Sequence, residues 1–485
     1  VFAIIDLRPV FQVIGALLCV LAMAMVGPAL LDYRDNHAEW RVFAVSSGLT
    51  LFAGLLLVLG THTGSHRRSL RQTFLATVFG WTVPGLFAAL PFIYGPLQMD
   101  FTDAVFEAVS GLTSTGATVI HGLDALPRGL LLWRVLLNWL GGLGVIAMAV
   151  AVLPDLAIGG MQMFRLEVPG PAERATSRTR RIALVIVAVY AGLTGLLALA
   201  LWVAGMTGFE ALANAMSTLS TGGFSTSDAS IGHFDNRAVE LVVMVGMVLG
   251  GLPFLLFFQM SQGNPRAWTK DGQLRWYFGL MALGCLGVSA WLTASKGLAP
   301  WDALRSGSFT AISVMTGTGL FTLEYGNWGG LPAAILLFLA FVGGCAGSTS
   351  GGVKVFRFQF LFADALVQLR RLLRPHAVLI PSFNRRPIPE DVLASVMGFL
   401  FVYALAFAML SMALAFLGLD FTTAISGAAS ALANLGPGLG GEIGPGSTYA
   451  ALPDTAKWLL ALGMVFGRLE MFPMLVLFVP AFWRQ

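Results

Sequence analysis

Charge is scarce in this chain. Of its 485 residues only 11% are Asp, Glu, Lys or Arg, while 56% are hydrophobic; an ordinary soluble domain carries roughly a quarter charged residues. The deficit excludes a water-soluble fold, which could not hide so much apolar surface, and leaves a chain that faces lipid. Cysteine is equally sparse. Cys19, Cys285 and Cys345 all lie in apolar stretches and supply neither a disulfide framework nor a metal-ligand spacing. The six histidines are scattered through connecting segments and form no cluster and no HExxH motif. The net charge of +4 is too small and too dispersed to suggest a nucleic-acid partner. A phosphate-binding loop is missing too: Gly142-Leu143-Gly144 sits inside an apolar run and reads as packing.

What is abundant is long apolar runs. A spanning helix needs about 20 mainly apolar residues, and ten candidates occur, near residues 10–31, 42–60, 74–94, 130–153, 182–204, 238–260, 276–294, 331–358, 392–417 and 458–482. The first is too long for a signal-peptide core and lacks a small-residue cleavage site, so it reads as a retained membrane helix. Connections at residues 66–71, 165–181, 266–275 and 370–386 are basic, the first two opening with His66-Arg67-Arg68 and Arg165. They alternate with acidic or neutral connections at 32–39, 100–124, 228–235, 302–324 and 442–454. Because positively charged loops stay on the cytoplasmic side, ten crossings with both termini cytoplasmic satisfy every connection.

Four of the outer connections also hold short Ser/Thr/Gly stretches, too short to cross. Each opens on an aromatic (Phe101, Phe209, Trp301, Phe421), continues as a short amphipathic helix, and ends in a polar, glycine-containing tip. The tips are Ser114-Thr115-Gly116, Ser220-Thr221-Gly222, Thr318-Gly319 and Asn434-Leu435-Gly436, with glycines spaced by 106, 97 and 117 residues. The expected fold is therefore an all-α polytopic membrane protein: two leading transmembrane helices (residues 1–70), then four pseudo-symmetric helix–pore loop–helix repeats (71–165, 166–265, 266–375 with an interrupted inner helix, and 376–485) around one ion pore. Irregular backbone at membrane depth is tolerated only when buried in protein or lining water. Four loops from like units converge on one axis, where glycine tips let backbone carbonyls replace an ion's hydration shell.

These residues resemble TrkH-type potassium transporter subunits of the Trk/Ktr/HKT superfamily along nearly the whole chain. The resemblance rests on residues 112–118 with Gly122-Leu123-Asp124, on Ser217-Thr218 with Gly222-Gly223-Phe224-Ser225-Thr226, on Gly343-Gly344-Cys345-Ala346-Gly347-Ser348-Thr349-Ser350-Gly351-Gly352-Val353-Lys354, on Asn434-Leu435-Gly436-Pro437-Gly438, and on Phe466-Gly467-Arg468-Leu469-Glu470. It implies a selectivity filter at Ser114, Thr115, Gly116, Ser220, Thr221, Gly222, Thr318, Gly319, Asn434, Leu435 and Gly436, with K+ at backbone carbonyls as the bound substrate and no cofactor. Where plant relatives that prefer sodium carry serine in the first loop, this chain has Gly116, which favours potassium, with rubidium as a surrogate. The third loop departs from the family in having Leu320 where an aromatic is usual. The resemblance further implies a homodimer in the bacterial inner membrane and a TrkA-like cytosolic nucleotide-binding regulatory subunit. On residue types alone, the basic segments at 165–171 and 361–386 read equally as anchors at an anionic leaflet. Asp100, Asp103, Asp124, Asp228 and Asp302 either concentrate cations at the outer mouth or are ordinary solvated loop charges.

The run 343–352 interrupts an apolar helix with Gly343, Gly344, Gly347, Gly351 and Gly352 beside Ser348, Thr349 and Ser350. Each glycine costs roughly 1 kcal/mol in a helix interior, so the run reads as a break, or else as close packing by small residues. The resemblance selects a gate below the filter. Arg468 stands within the last apolar run, where insertion of a charge costs about 2.5–3.5 kcal/mol; it either pairs with Glu470 or faces the pore and opposes resting cations. Two rival functions have weaker support. A serine nucleophile at Ser348 or Ser350 lacks a base within reach. A proton- or sodium-coupled symporter needs titratable groups along the path, for which Glu107 and Glu470 are the candidates.

Overall fold

In a computed structural model, residues 5–61, 69–151, 159–164, 172–263, 267–384 and 386–484 are described. The basic runs at 66–68 and 165–171, and Arg266, lie outside the described residues. In chain order the principal helices are α1 (Arg8–Arg34), α2 (Trp40–Gly60), α3 (Leu70–Ala88), α4 (Phe101–Leu112), α5 (Arg128–Ala151), α6 (Ala172–Val203), α7 (Gly208–Leu219), α8 (Arg237–Gly250), α9 (Phe254–Ser261), α10 (Gly272–Lys296), α11 (Pro300–Thr316), α12 (Gly330–Val342), α13 (Val355–Leu373), α14 (Glu390–Phe416), α15 (Phe421–Ala433) and α16 (Asp454–Arg468). A two-residue hairpin pairs Ser382 with Pro387 and Phe383 with Arg386.

The local chemistry explains where these helices begin and end. Pro9 sits in the first turn of α1, where its missing N–H costs nothing. Ser69 and Gln72 form a reciprocal capping box at the start of α3. Asp271 caps α10, which stops at Gly297 in the left-handed region.

Seven helices among the described residues are long and apolar enough to cross a membrane: α1, α2, α3 with its continuation to Tyr94, α5, α6, α10 and α14. The remaining three expected crossings are not straight spans. The sixth is bent by 90° between α8 and α9, because Pro253 follows Gly251 and Leu252 and cannot continue the helical hydrogen bonding. The tenth is bent by 111° between α16 and the helical segment Phe472–Phe478, where Glu470 and Met471 both take positive φ, 56° and 63°. The eighth ends as α12 after 13 residues and resumes as α13 beyond an irregular segment. Mean hydropathy over a window cannot register these breaks.

Polarity is turned inside out relative to a soluble protein. Phe52, Leu59, Val203, Leu283, Phe401 and Met412 point outward and are exposed, while Glu107, Arg134, Asn138, Arg357 and Arg468 are buried. Backbone and charge are thus satisfied internally and the apolar surface is left to lipid. The two leading helices pack through small residues: a Cβ at Gly54 would stand 2.9 Å from both Cys19 Sγ and the Gly15 carbonyl, whereas one at Gly48 would meet nothing within 4 Å. Gly54→Leu is therefore expected to destabilise the protein by about 1–3 kcal/mol, read as a lower Tm in detergent, and Gly48→Leu to leave Tm unchanged.

Candidate ion pathway

Four short helices, α4, α7, α11 and α15, stop inside the molecule. Asp100 and Asp420 accept backbone N–H bonds at the starts of α4 and α15, Thr207 forms a capping box with Glu210 at α7, and Pro300 opens α11. The Thr423 hydroxyl and the N–H groups of Thr422 and Thr423 hold the Asp420 carboxyl below its ordinary range. The opening aromatics Phe101, Trp301 and Phe421 remain exposed, as befits anchors at a membrane–water boundary.

At their other ends the four helices share one turn. A residue with positive φ comes first: Ser114 (50°), Thr221 (50°), Gly317 (71°) and Asn434 (52°). Two residues later a glycine takes positive φ: Gly116 (84°), Gly223 (78°), Gly319 (77°) and Gly436 (100°). The N–H of the residue between them, Thr115, Gly222, Thr318 or Leu435, donates to the carbonyl of a serine five positions back, namely Ser110, Ser217, Ser313 and Ser430, at 2.9 Å in every case. This serine register was not read from the sequence, although the Ser-x4 spacing is visible there.

The turns meet in a closed cycle. A Cβ on Gly116 would collide with the Gly222 carbonyl oxygen, one on Gly223 with Thr318 O, one on Gly319 with Leu435 O, and one on Gly436 with Thr115 O. In the second loop this shifts the expected equivalence by one residue. Gly223, rather than Gly222, stands where Gly116 stands; Gly222 matches Thr115, Thr221 matches Ser114, and Ser220 is the helix cap that matches Thr113. A Gly-Gly pair offers two residues for one role, and only the backbone conformation separates them. Leu320 is 1% exposed and packs outward among Phe309 and Ile231, so the departure in the third loop alters packing behind the ring.

On one side the ring opens into a cavity of about 150 Å³ lined by all four ring glycines with Thr118, His121, Asp228 and Thr448. Of the five acidic residues expected at the mouth, only Asp228 lines it, and its carboxylate accepts the Leu123 N–H. Asp103 instead pairs with Lys457 at 2.5 Å, and Asp100 caps α4. Behind the ring, Glu107 accepts from Arg134 Nε at 2.8 Å, from the Thr118 hydroxyl and from Val119 N–H, while Arg134 also donates to Ser225 O and covers the Phe224 ring.

On the other side lies a separate, much smaller cavity of about 20 Å³, lined by Gly347, Ser348, Ser350, Gly351, Gly352, Lys354, Asn434 and Arg468 among others. That is room for about one water. Residues 343–354, between α12 and α13, fill this space in irregular conformation, with Gly343, Gly347 and Gly352 at positive φ. The segment is stitched to the α8–α9 bend: Cys345 N–H donates to Gly251 O (3.0 Å), Thr349 N–H to Gly250 O (3.2 Å) and Phe254 N–H to Gly347 O (3.0 Å). Gly344 N–H is taken by Ser350 Oγ, and the Ser348 hydroxyl donates to Cys345 O.

Arg468 joins this segment to the ring. Its guanidinium donates to Thr113 O (2.5 Å), Ser114 O (3.1 Å) and Thr349 O (2.9 Å). Glu470 does not pair with it; its carboxylate accepts from Arg357, which also donates to Gly159 O and Val353 O. A pattern missed in the sequence explains the place of Arg468. The inner helices carry Gly141-Gly142, Gly250-Gly251, Gly343-Gly344 and Gly467-Arg468. A Cβ on Gly141, Gly250 or Gly467 would press on the last-turn carbonyls of Leu112, Leu219 or Leu432, so three of the first glycines admit close approach, and only the last unit replaces the second glycine by a cation.

The chain matches the TrkH family, described as cation transport protein, over residues 41–485. It belongs to that family. It is 40% identical to the Trk system potassium uptake protein TrkI of Halomonas elongata over 98% of this chain and 97% of that one. It is 39% identical to the Trk system potassium uptake protein TrkH of Vibrio parahaemolyticus, over 99% of both. The crystal structure of the potassium transporter TrkH from Vibrio parahaemolyticus superposes with a TM-score of 0.91 at 36% identity, covering 99% of this chain and 100% of that one. Members of this family are ion transporters, not enzymes, and this TrkH-family chain is a multi-pass membrane protein.

Within it, the Glu107–Arg134 pair is buried on both sides. Glu107→Gln or Arg134→Gln alone is expected to cost about 3–5 kcal/mol, because each strands one buried charge. The double variant should regain part of the loss, as read from thermal unfolding in detergent.

Proposed function

We propose that the chain takes up K+ across the bacterial inner membrane as the channel-like, ion-conducting subunit of a Trk system, with both termini cytoplasmic. The observation that carries this reading is the closed cycle of four glycines, each against the carbonyl of the next loop. Such a ring needs no charged side chain at the ion. It selects by the number and spacing of carbonyl dipoles, and Rb+ follows K+ through it. The filter residues are then Ser114, Thr115 and Gly116; Thr221, Gly222 and Gly223; Gly317, Thr318 and Gly319; Asn434, Leu435 and Gly436. Units bounded near 71–165, 166–265, 266–375 and 376–485 each supply one quadrant behind the two leading helices.

Residues 343–352 form the gate in this reading, held shut by Arg468, whose charge also opposes a cation waiting below the ring. Opening requires the bonds from Arg468 to Thr349 O and from the 345–349 backbone to Gly250 and Gly251 to break together. Work of that kind calls for a partner, and a TrkA-like nucleotide-binding subunit docking on the cytosolic face of a homodimer would provide it. The names of the relatives support potassium as the substrate. Ion coupling finds less support than passive flow, since the two intramembrane carboxylates considered for it, Glu107 and Glu470, are both committed to arginines.

Flux into proteoliposomes tests the reading. K+ and Rb+ uptake is expected to follow the electrochemical gradient at any pH, and Gly116→Ser to abolish the preference over Na+. Potassium uptake that runs only with a proton or sodium gradient would support the symporter instead. Arg468→Ala is expected to raise K+ leak without any activator; an unchanged leak would remove Arg468 from the gate.

A further inference from the structure

The cycle of glycines has three seams between consecutive units and one between the last unit and the first. Consecutive units are joined by a connecting segment and a spanning helix. The seam at which Gly436 meets Thr115 O has no such link and rests on non-covalent contacts alone. Asn434 crosses it, donating to Thr115 Oγ1 at 3.0 Å and to Met464 O at 2.9 Å.

Tyr449 crosses it as well. It lies in the short turn Tyr449–Ala451, downstream of the fourth loop, and is 3% exposed. Its hydroxyl donates to the carbonyl oxygen of Gly436 at 2.7 Å. Its backbone N–H donates to Thr118 O of the first unit at 2.8 Å. Its ring lies against Phe106 of α4, with centroids 5.5 Å apart. The Ser430 hydroxyl reaches the same Gly436 oxygen, also at 2.7 Å. Among the described residues no hydroxyl donates to the carbonyls of Gly116, Gly223 or Gly319, and the Oγ atoms of the equivalent Ser110 and Ser217 have no partner.

From this arrangement we infer that Tyr449 is a positioning residue for ion selectivity: with Ser430 it holds the Gly436 carbonyl in place, and so sets how closely the fourth loop approaches the first. A carbonyl ring discriminates by the spacing of its oxygens. A quadrant free to rotate its peptide would relax toward a smaller ion, whereas one fixed by two donors cannot. The inference rests on the filter reading above and names a residue outside the loops that enforces it.

The test uses the whole protein in proteoliposomes and compares the K+ to Na+ permeability ratio of the parent with that of Tyr449→Phe, Ser430→Ala and the double variant. Tyr449→Phe keeps the stack on Phe106 and the backbone bond to Thr118 O and removes only the hydroxyl. The loss of one such bond is expected to lower the ratio about fivefold, and the double variant to lower it further. Ser430→Ala acts on the same oxygen from a different element and decides the matter if Tyr449→Phe fails to fold. A purely structural hydroxyl would change protein yield or Tm and scale both fluxes together, leaving the ratio alone. Parental ratios in Ser430→Ala and in every Tyr449→Phe protein that folds would overturn the inference while leaving the filter intact. A parent that passes K+ and Na+ equally would overturn the filter reading, and this inference with it.

Discussion

Four chain segments can meet backbone to backbone around one point only if each gives up a side chain where it touches the next. Here that condition is met by Gly116, Gly223, Gly319 and Gly436, each with its Cα against a neighbouring carbonyl and each in a region of φ that other residues avoid. The remaining architecture serves this contact. The four short helices end there, so the partial negative charge of each helix C-terminus is directed toward the ring. Behind three of those ends a glycine of an inner helix lets the spanning helix come close enough to brace them.

A lipid-embedded protein has no water to satisfy polar groups at this depth, and the interior shows how the need is met. Arg134 bonds Glu107, Thr118 and Ser225 at the outer edge of the ring; Arg468 bonds Thr113, Ser114 and Thr349 at its inner edge; Arg357 bonds Glu470, Gly159 and Val353 one layer further in. Each arginine ties together segments distant in sequence, using a planar donor set suited to several acceptors at once. Arg468 differs from the other two in having only backbone carbonyls as partners among the described residues, so its charge is not neutralised by a carboxylate. The gate proposed above rests on that feature, with one side chain as both fastener and electrostatic barrier.

Much of this was legible in the sequence, because the membrane imposes simple rules. Length and apolarity located seven straight helices, and the recurrence of aromatic, short helix and glycine tip located the four loops. The misreadings arose where two residues satisfy the same rule. Gly222 and Gly223 are chemically identical, and only φ distinguishes them. The bends at Pro253 and after Arg468 fell inside apolar runs that read as continuous, although Pro253 itself was a visible signal. Glu470 was weighed as a partner for Arg468 by proximity in sequence, but the turn at Glu470 and Met471 carries its carboxylate to Arg357. Tyr449 could not have been found: nothing in a tyrosine downstream of a glycine-rich loop reveals that its hydroxyl returns to Gly436.

In the proposed pathway the cycle of carbonyls from Thr115, Gly222, Thr318 and Leu435 binds the transported ion. Anomalous diffraction from crystals of the protein grown with Rb+ in place of K+ tests it most directly. The expected result is a peak on the axis of the four glycines, coordinated by those carbonyls and lost in Gly116→Ser. Rubidium found only at the outer acidic residues or near Glu107, with none at the ring, would exclude the carbonyl ring as the ion's binding site.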